Sequence, residues 1–528
     1  MKKPDIRNTF CNPIVLPNYP KLQTLRDPLP EGTSLLESMA NRPDTWGRKG
    51  KPIISEGDIL SELGAKQGNM RDVFAPDHGR VCEQDVRATA DPSPYFFEGK
   101  WWLYPTCGMI YSSEDLVHWE YHDCPTWAPI SAPMAPTVEK VGDQYVAAGN
   151  NTPVHTAPTP LGPWTNIGEW TLPDGREFTC GDVMIFSDDD GRAYLYFGLG
   201  SAIMGAELDV ANPRQLTTFP KLLVSFTGEY WWERFGASNE DWSIGFIEGS
   251  WMVKHGQKYH LVYSCSGTEF YNYAMGCYIS DSPLGEFKLQ PRNPVSHCRN
   301  GFIKGGGHGG FVKGPEDTLW IFYTIPVCVD NNMERRIGMD PAGFDAEGNL
   351  YATTGIDVPQ WNPGVMQRPE LGNATELVPL TIFKPSKASS YKDGNRPLYA
   401  IDEALHTWWQ PAADDAEPTL SVALQGRYVA SAVRIMWKDI GLNFKAGVNP
   451  GPYRYVVEVK NGNFDGEWVT VVDASENDVD LTVDYRTFGP TPCTMVRIRI
   501  LGAPEGVTPG LLNFTLFGES MAKPNRQF

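Results

Sequence analysis

Between Tyr95 and Thr324 the chain repeats one pattern of apolar and polar positions five times. An apolar run meets a Gly or Asp turn, an aromatic follows three residues after the turn residue, and a second apolar run closes the unit. The copies are "YFFEGKWWLYPT" from Tyr95, "PTVEKVGDQYVAAGN" from Pro136, "VMIFSDDDGRAYLYFG" from Val183, "WMVKHGQKYHLVYS" from Trp251 and "FVKGPEDTLWIFYT" from Phe311. The aromatics are Trp102, Tyr145, Tyr194, Tyr259 and Trp320, and three residues before them stand Gly99, Gly142, Gly191, Gly256 and Asp317. Strand, tight turn and strand predict a β-hairpin in each copy. Three hairpins are followed by a second piece, "SSEDLVHWEY" (Ser112 to Tyr121), "APTPLGPWTN" (Ala157 to Asn166) and "SDSPLGEFKL" (Ser280 to Leu289), which reads as the turn and outer strand of the same unit. Hairpins repeated in this way predict a five-bladed β-propeller over roughly residues 85–375.

After about Asn373 the pattern changes to alternating strands such as "LSVALQGRYVASAVRIMWK" (Leu420 to Lys438), "YRYVVEVK" (Tyr453 to Lys460), "VRIRIL" (Val496 to Leu501) and "LNFTLFG" (Leu512 to Gly518). These predict a β-sandwich over residues 376–528. The fold class is therefore all-β: a propeller domain over 1–375, with an N-terminal extension over 1–85, followed by a β-sandwich. Within the extension, "NPIVLPNYP" (Asn12 to Pro20) reads as the strand that closes the propeller, and "DILSELGAKQGNMRDVF" (Asp58 to Phe74) as a short helix with no functional reading.

Composition narrows the partners. The formal charge of −19 makes nucleic acid and anionic membrane surfaces poor partners and favours a neutral one. Aromatics at 12% suit the stacking of sugar rings as well as all-β cores. The 10 cysteines show neither a zinc spacing nor a dense disulfide framework. No run approaches the length of a membrane-crossing helix. No signal peptide is visible at "MKKPDIRNTFCNP", which points to a cytoplasmic protein, or to a secreted or periplasmic one whose leader has been removed. Oligomeric state is not legible.

Candidate chemistry comes from counting back along the repeats. Asp91 and Glu248 stand 11 residues before their aromatics, and Asp182 and His308 stand 12 before theirs; the second copy has Met134 at this place. Each has a plain alternative. Asp91-Pro92 is a common turn, Asp182 after Gly181 can cap one, and His308 in "GGGHGG" can be structural. A shared register is harder to explain as scattered turns, because equivalent positions in the blades of a propeller converge at one end of the axis. The Gly-rich stretch around His308 lacks the Lys-Ser/Thr and the helix of a phosphate loop.

These residues resemble the blade motifs of glycoside hydrolase family 43 and its clan, over roughly residues 88–350. The stretches that carry the resemblance are "ADPSPYFFEGKWWLY", "GDVMIFSDDDGRAYLYFG", "EGSWMVKHGQKYHLVYS", "SSEDLVHW" and "SDSPLGEF". The resemblance implies Asp91 as general base, Asp182 as the carboxylate that orients and tunes the acid, and Glu248 as general acid. It implies sugar-binding roles for Arg335 or Arg336 in "ERRIGMDPAGFDAEGNL", and makes His308 an axial histidine beside a water or a calcium ion. The family usually opens its second blade with Trp-Ala-Pro. This chain has Met134-Ala135-Pro136 there and a Trp-Ala-Pro seven residues earlier at Trp127, so Met134 and Trp127 compete for the aromatic wall of the pocket.

The implied activity is inverting, exo-acting hydrolysis that removes a terminal pentose, α-L-arabinofuranose or β-D-xylose, with no cofactor required. The alternatives are a related enzyme for another sugar, such as galactofuranose, and a non-catalytic carbohydrate-binding propeller. The retaining fructan and sucrose hydrolases share the fold but show Asn-Asp-Pro-Asn, Arg-Asp-Pro and Glu-Cys where this chain reads Ala-Asp-Pro-Ser, Gly-Asp-Val and Glu-Gly. The C-terminal part resembles a discoidin-type domain through Asp402, Thr407 and Trp408. That implies either glycan binding, sometimes with a structural calcium, or a scaffold packed on the catalytic domain.

Overall fold

The predicted hairpins close where the backbone can turn left-handed. The turn residues Gly99, Gly142, Gly191 and Gly256 have φ between +58° and +83°, and in the last copy Asp317 adopts +55°. The aromatic three residues on is buried in every copy. Each aromatic thus pins its hairpin into the apolar core, a burial worth about 1.5–3 kcal/mol for a large side chain.

The computed structural model describes residues 4–22, 53–65, 85–106, 108–127, 130, 134–327, 331, 333–366, 372–462 and 466–521. Five antiparallel sheets follow the repeats. Blade 1 holds Ser93–Phe97, Lys100–Tyr104, Ile110–Ser113 and Trp119–His122. Blade 2 holds Thr137–Val141, Gln144–Ala148, Val154–Ala157 and Thr165–Gly168. Blade 3 holds Met184–Ser187, Ala193–Phe197, Ala202–Leu208 and Lys221–Ser225. Blade 4 holds Ile247–His255, Lys258–Cys265, Ala274–Ser280 and Lys288–Leu289, with Ser296–His297 paired beside its third strand. Blade 5 holds Gly307–Lys313, Leu319–Pro326, Arg335–Phe344 and Leu350–Ala352. The first strand of each blade touches the first strands of its two neighbours, in the order 1-2-3-4-5-1. The ring is closed.

The stretch Asn12–Pro20 is not the closing strand the sequence suggests. All four strands of blade 5 come from one continuous segment, so no place in it is open, and Pro13, Pro17 and Pro20 lack the N–H a ladder needs. Pairing falls just earlier, where Thr9–Phe10 meets Gln360–Trp361. Phe10, Ile14, Leu16 and Tyr19 instead pack among Leu103, Tyr111, Val312 and Phe322, joining blades 1 and 5. The helix expected over Asp58 to Phe74 spans Glu56–Glu62, and positions 66–74 lie outside the described residues. It opens on a Ser55–Asp58 capping box and buries Ile59 and Leu60 against blade 3.

The C-terminal residues form a seven-stranded sheet around the long strands Thr419–Ile440, Val483–Gly502 and Thr508–Ser520. Register shifts near residues 423–432 bend the first of these. Both of its halves (Leu420 and Val422, then Val433 and Ile435) reach one core, so the bent sheet encloses that core as a sandwich. The sandwich is fastened to the propeller. Leu405, Met436, Val483 and Leu512 belong to the propeller's main apolar cluster. Arg87 sits buried between Asp439 and Asp480, Arg434 donates to the carbonyls of Asp357 (2.8 Å) and Asn12 (3.2 Å), and Lys438 pairs with Glu334 at 3.5 Å.

Candidate active site

At the mouth of each blade one residue takes a left-handed backbone: Asp91 (φ +48°), Ala135 (+46°), Asp182 (+46°), Gly249 (+56°) and His308 (+30°). The amide N–H of each donates to an oxygen of the preceding blade. Asp91 donates to Thr324 Oγ1 (3.0 Å), Ala135 to Thr106 Oγ1 (2.9 Å), Asp182 to Asn150 Oδ1, and His308 to Ser264 Oγ (2.8 Å). Gly249 donates to the carboxylate of Asp182 itself (3.1 Å). This ring of hydrogen bonds stitches blade to blade and places the entrance residues around one axis. Non-glycine residues in left-handed backbone cost free energy and persist where the surroundings hold them.

The ring refines the register read from the sequence. Asp91, Asp182 and His308 occupy equivalent places, but the blade 4 equivalent is Gly249, and Glu248 stands one residue earlier. A bulge between Glu248 and Trp251 shifts the count. In blade 2 the ring residue is Ala135, preceded by Met134, whose φ is also positive (+135°). Glycine is required at 249 by space, since a Cβ there would lie 2.8 Å from the His308 ring.

Three carboxyls and the imidazole meet in this ring. His308 Nδ1 lies 3.5 Å from Asp91 Oδ1 and 3.6 Å from Asp182 Oδ2. Asp91 also accepts from Arg335 Nη1 (3.2 Å) and from the Thr106 hydroxyl (2.5 Å). Burial pushes Asp91 toward the protonated form, but Arg335, His308 and Thr106 outweigh it and hold the carboxyl below its ordinary range. Glu248 goes the other way. Burial first, then the charges of Asp182 and Asp91, push it well above the carboxylate range, against a hydrogen bond from the Tyr273 hydroxyl and the charge of Arg335. Asp182 is raised by burial and by Asp91, opposed by His308, Asn150 and the Gly249 amide.

Arg335 reaches the site, donating from Nη1 to both Asp91 and Thr268 Oγ1 (3.1 Å). Arg336 does not. The alternation of the strand turns it away, and its guanidinium is buried on the carbonyls of Arg87 and Arg335 and on Glu334. Trp127 is likewise no pocket wall. It is fully buried, donates to the Met109 carbonyl (3.1 Å), and packs between Tyr104 and Trp164. Met134 is half-buried, and its carbonyl accepts from Asn150 N–H at 3.0 Å.

The sequence reading passed over Thr106, Asn150, Ser264, Thr324 and Tyr273. Four of them had a signal, because each is the final letter of its repeat as quoted above: Thr, Asn, Ser and Thr in blades 1, 2, 4 and 5. Blade 3 ends in Gly198, where a Cβ would lie 2.1 Å from the Ala202 carbonyl oxygen. It has no side chain to offer, and the Asp182 carboxylate accepts in its place.

Asp182, Glu248 and His308 bring potential ligand atoms within 4.8 Å of one another, the one such cluster among the described residues. Calcium takes about six to eight oxygen ligands. This set offers two carboxyls and one imidazole, fewer oxygen donors than calcium takes. No step of the proposed mechanism runs through a metal. Among the described residues no helix is long and apolar enough to cross a membrane, and every cysteine is a free thiol.

Comparisons with known proteins point to a family. Residues 88–350 match the family model described as "Glycosyl hydrolases family 43". The "Beta-D-galactofuranosidase xynD" of Aspergillus niger is 29% identical over 297 residues, 49% of this chain and 81% of that protein. The "Non-reducing end alpha-L-arabinofuranosidase BoGH43B" of Bacteroides ovatus is 24% identical over 268 residues, 45% of this chain and 46% of that protein. An "Arabinoxylan arabinofuranohydrolase" of Paenibacillus polymyxa is 26% identical over 211 residues, 34% of this chain and 32% of that protein. A five-bladed ring with buried carboxyls at its mouth, carried by a stretch that matches this family, makes the chain a glycoside hydrolase of family 43.

Proposed function

We propose that the enzyme is an inverting, exo-acting glycosidase that removes a terminal pentose, α-L-arabinofuranose or β-D-xylose, from plant-type polysaccharides and their oligosaccharides. One observation carries the reading: the surroundings of two carboxyls in one buried ring push their proton affinities in opposite directions. Against burial, Arg335, His308 and Thr106 hold Asp91 below its ordinary range, while burial and then Asp182 push Glu248 well above it. Such a split supports Asp91 as base and Glu248 as acid. Asp91 takes a proton from water as the water oxygen bonds to the anomeric carbon. Glu248 gives its proton to the departing glycosidic oxygen on the other side. Asp182, which accepts from Gly249 N–H, fixes the backbone next to Glu248 and raises its proton affinity. Arg335 orients the base and is the arginine of the pair placed beside it to bind the sugar.

A galactofuranoside is the second reading, favoured by the relative of that name, of which this chain covers 81%. A sugar-binding propeller without activity has no need of a split pair. The test is a panel of nitrophenyl arabinofuranoside, xyloside and galactofuranoside, with Asp91→Asn beside the wild type. General-base loss should cost about 10²–10⁴-fold in rate. Turnover of none of the three, or an Asp91→Asn enzyme within a few-fold of wild type, would overturn the proposal.

A further inference from the structure

Blade 3 is the weak place in the ring. Its second strand, Ala193–Phe197, is followed by Gly198-Leu199-Gly200, with no hydroxyl or amide side chain to hold the next blade. A carboxylate from outside the propeller sits there. Glu56, the first residue of the short helix in the N-terminal extension, accepts from Leu199 N–H through Oε1 (2.9 Å) and from Gly181 N–H through Oε2 (3.2 Å). Gly181 immediately precedes Asp182. Leu199 immediately precedes Gly200, which exchanges backbone hydrogen bonds of 2.9 and 2.6 Å with Ile247, the residue before Glu248. Gly198 N–H in turn donates to the Gly181 carbonyl (3.1 Å). One carboxylate therefore ties together the backbones that carry Asp182 and Glu248.

The extension is built to deliver it. Ile54 N–H donates to the Glu177 carbonyl (3.1 Å), and Thr179 N–H donates back to Ile54 (3.0 Å). Ser55 caps the helix, Ile59 and Leu60 anchor it in the core of blade 3, and Glu62 pairs with Arg176 at 2.7 Å. We propose that Glu56 is a positioning residue of the active site, holding Asp182 and the acid Glu248 in register through their backbones. The proposal rests on the acid and base roles proposed above. Burial pushes the Glu56 carboxyl up to about 7 against its two amide donors, with the charge of Asp182 adding to the rise. The ionised form is the better acceptor for both amides.

The experiment compares Glu56→Gln with wild type in the full chain, using a nitrophenyl glycoside that the wild type turns over and an oligosaccharide of the same terminal sugar. Misplacement of the acid by a fraction of an ångström to an ångström should cost about 10–10²-fold in kcat on the oligosaccharide. The loss should be several-fold smaller on the nitrophenyl substrate, whose leaving group needs little help from a proton, with KM nearly unchanged. An equal loss on both substrates, or wild-type kcat on both, would overturn the proposal. If Glu56→Gln does not fold, Ser55→Ala removes the cap that aims the helix and should give the same unequal loss in weaker form; wild-type kinetics there would count against the clamp. Asp91→Asn run alongside separates the two levels. If it is inactive while Glu56→Gln shows no unequal loss, the Glu56 proposal alone fails; if it is active, the reading beneath it fails too.

Discussion

Arg87 is the residue on which propeller and sandwich most depend. Its side chain is fully buried, with Nε 2.7 Å and Nη2 3.1 Å from the Asp439 carboxylate and Nη1 on Asp480. Burial disfavours its charge, but the two carboxylates outweigh that and keep it a cation. Arg87→Met leaves two largely buried anions without their cation, a situation that costs about 3–5 kcal/mol. Asp439 keeps a hydrogen bond from the Tyr453 hydroxyl (2.6 Å), which places the loss toward the lower end. At about 2–4 °C per kcal/mol for a unit the size of the sandwich, the thermal midpoint should fall by roughly 6–12 °C. Calorimetry reads this directly. The partner variant Arg87→Met/Asp439→Asn/Asp480→Asn removes the stranded charges and should recover most of the loss. Because the Arg87 carbonyl accepts from Arg336, the neighbour of Arg335, activity should decline before unfolding begins. A midpoint within about 2 °C of wild type, or a triple variant no better than the single one, would refute the argument that buried charge pairing holds the two units together.

Two further outcomes follow from the same contacts. A chain ending at Asn373 loses Leu405, Met436, Val483 and Leu512 from the propeller core and the partners of Arg87, so it should aggregate; a soluble, active truncation would make the sandwich a detachable module. Glu248→Gln should slow oligosaccharides far more than nitrophenyl glycosides, and an equal loss on both would take the acid role from Glu248.

Much of the fold was legible because the repeat writes it five times. A turn residue with an aromatic three places on is a local signal, and local signals survive in sequence. The carboxyls were found by counting from those aromatics, yet the count placed Glu248 in the ring position that Gly249 fills. A bulge is invisible in a string of letters. Arg335 and Arg336 were indistinguishable until strand alternation turned one toward Asp91 and the other toward Glu334. Trp127 looked like a wall because a Trp-Ala-Pro near the right blade suggested one, but burial decides, and it packs in the core. Tyr273 and Glu56 reach the site from loops and a helix whose spacing obeys no repeat. Their contacts exist only in three dimensions.

The division of labour between Asp182 and Glu248 can be tested by charge alone. Asp182→Asn keeps the shape and an oxygen able to accept from Gly249 N–H, so the ring should stay closed, but it removes the negative charge that raises Glu248. The sign is fixed. Glu248 works in its protonated form, its proton affinity is raised in the folded enzyme, and taking away a neighbouring anion lowers that affinity. Less of it is then protonated at neutral pH. The basic limb of the kcat profile, which reports the acid in the substrate complex, should therefore move to lower pH. Against burial, Asp91 is held down by Arg335, His308 and Thr106, none of which this variant changes, so the acid limb should stay near its wild-type position. A basic limb that stays in place while kcat falls would make Asp182 a backbone clamp only. A limb that moves to higher pH would mean that Glu248 is not the group that must be protonated.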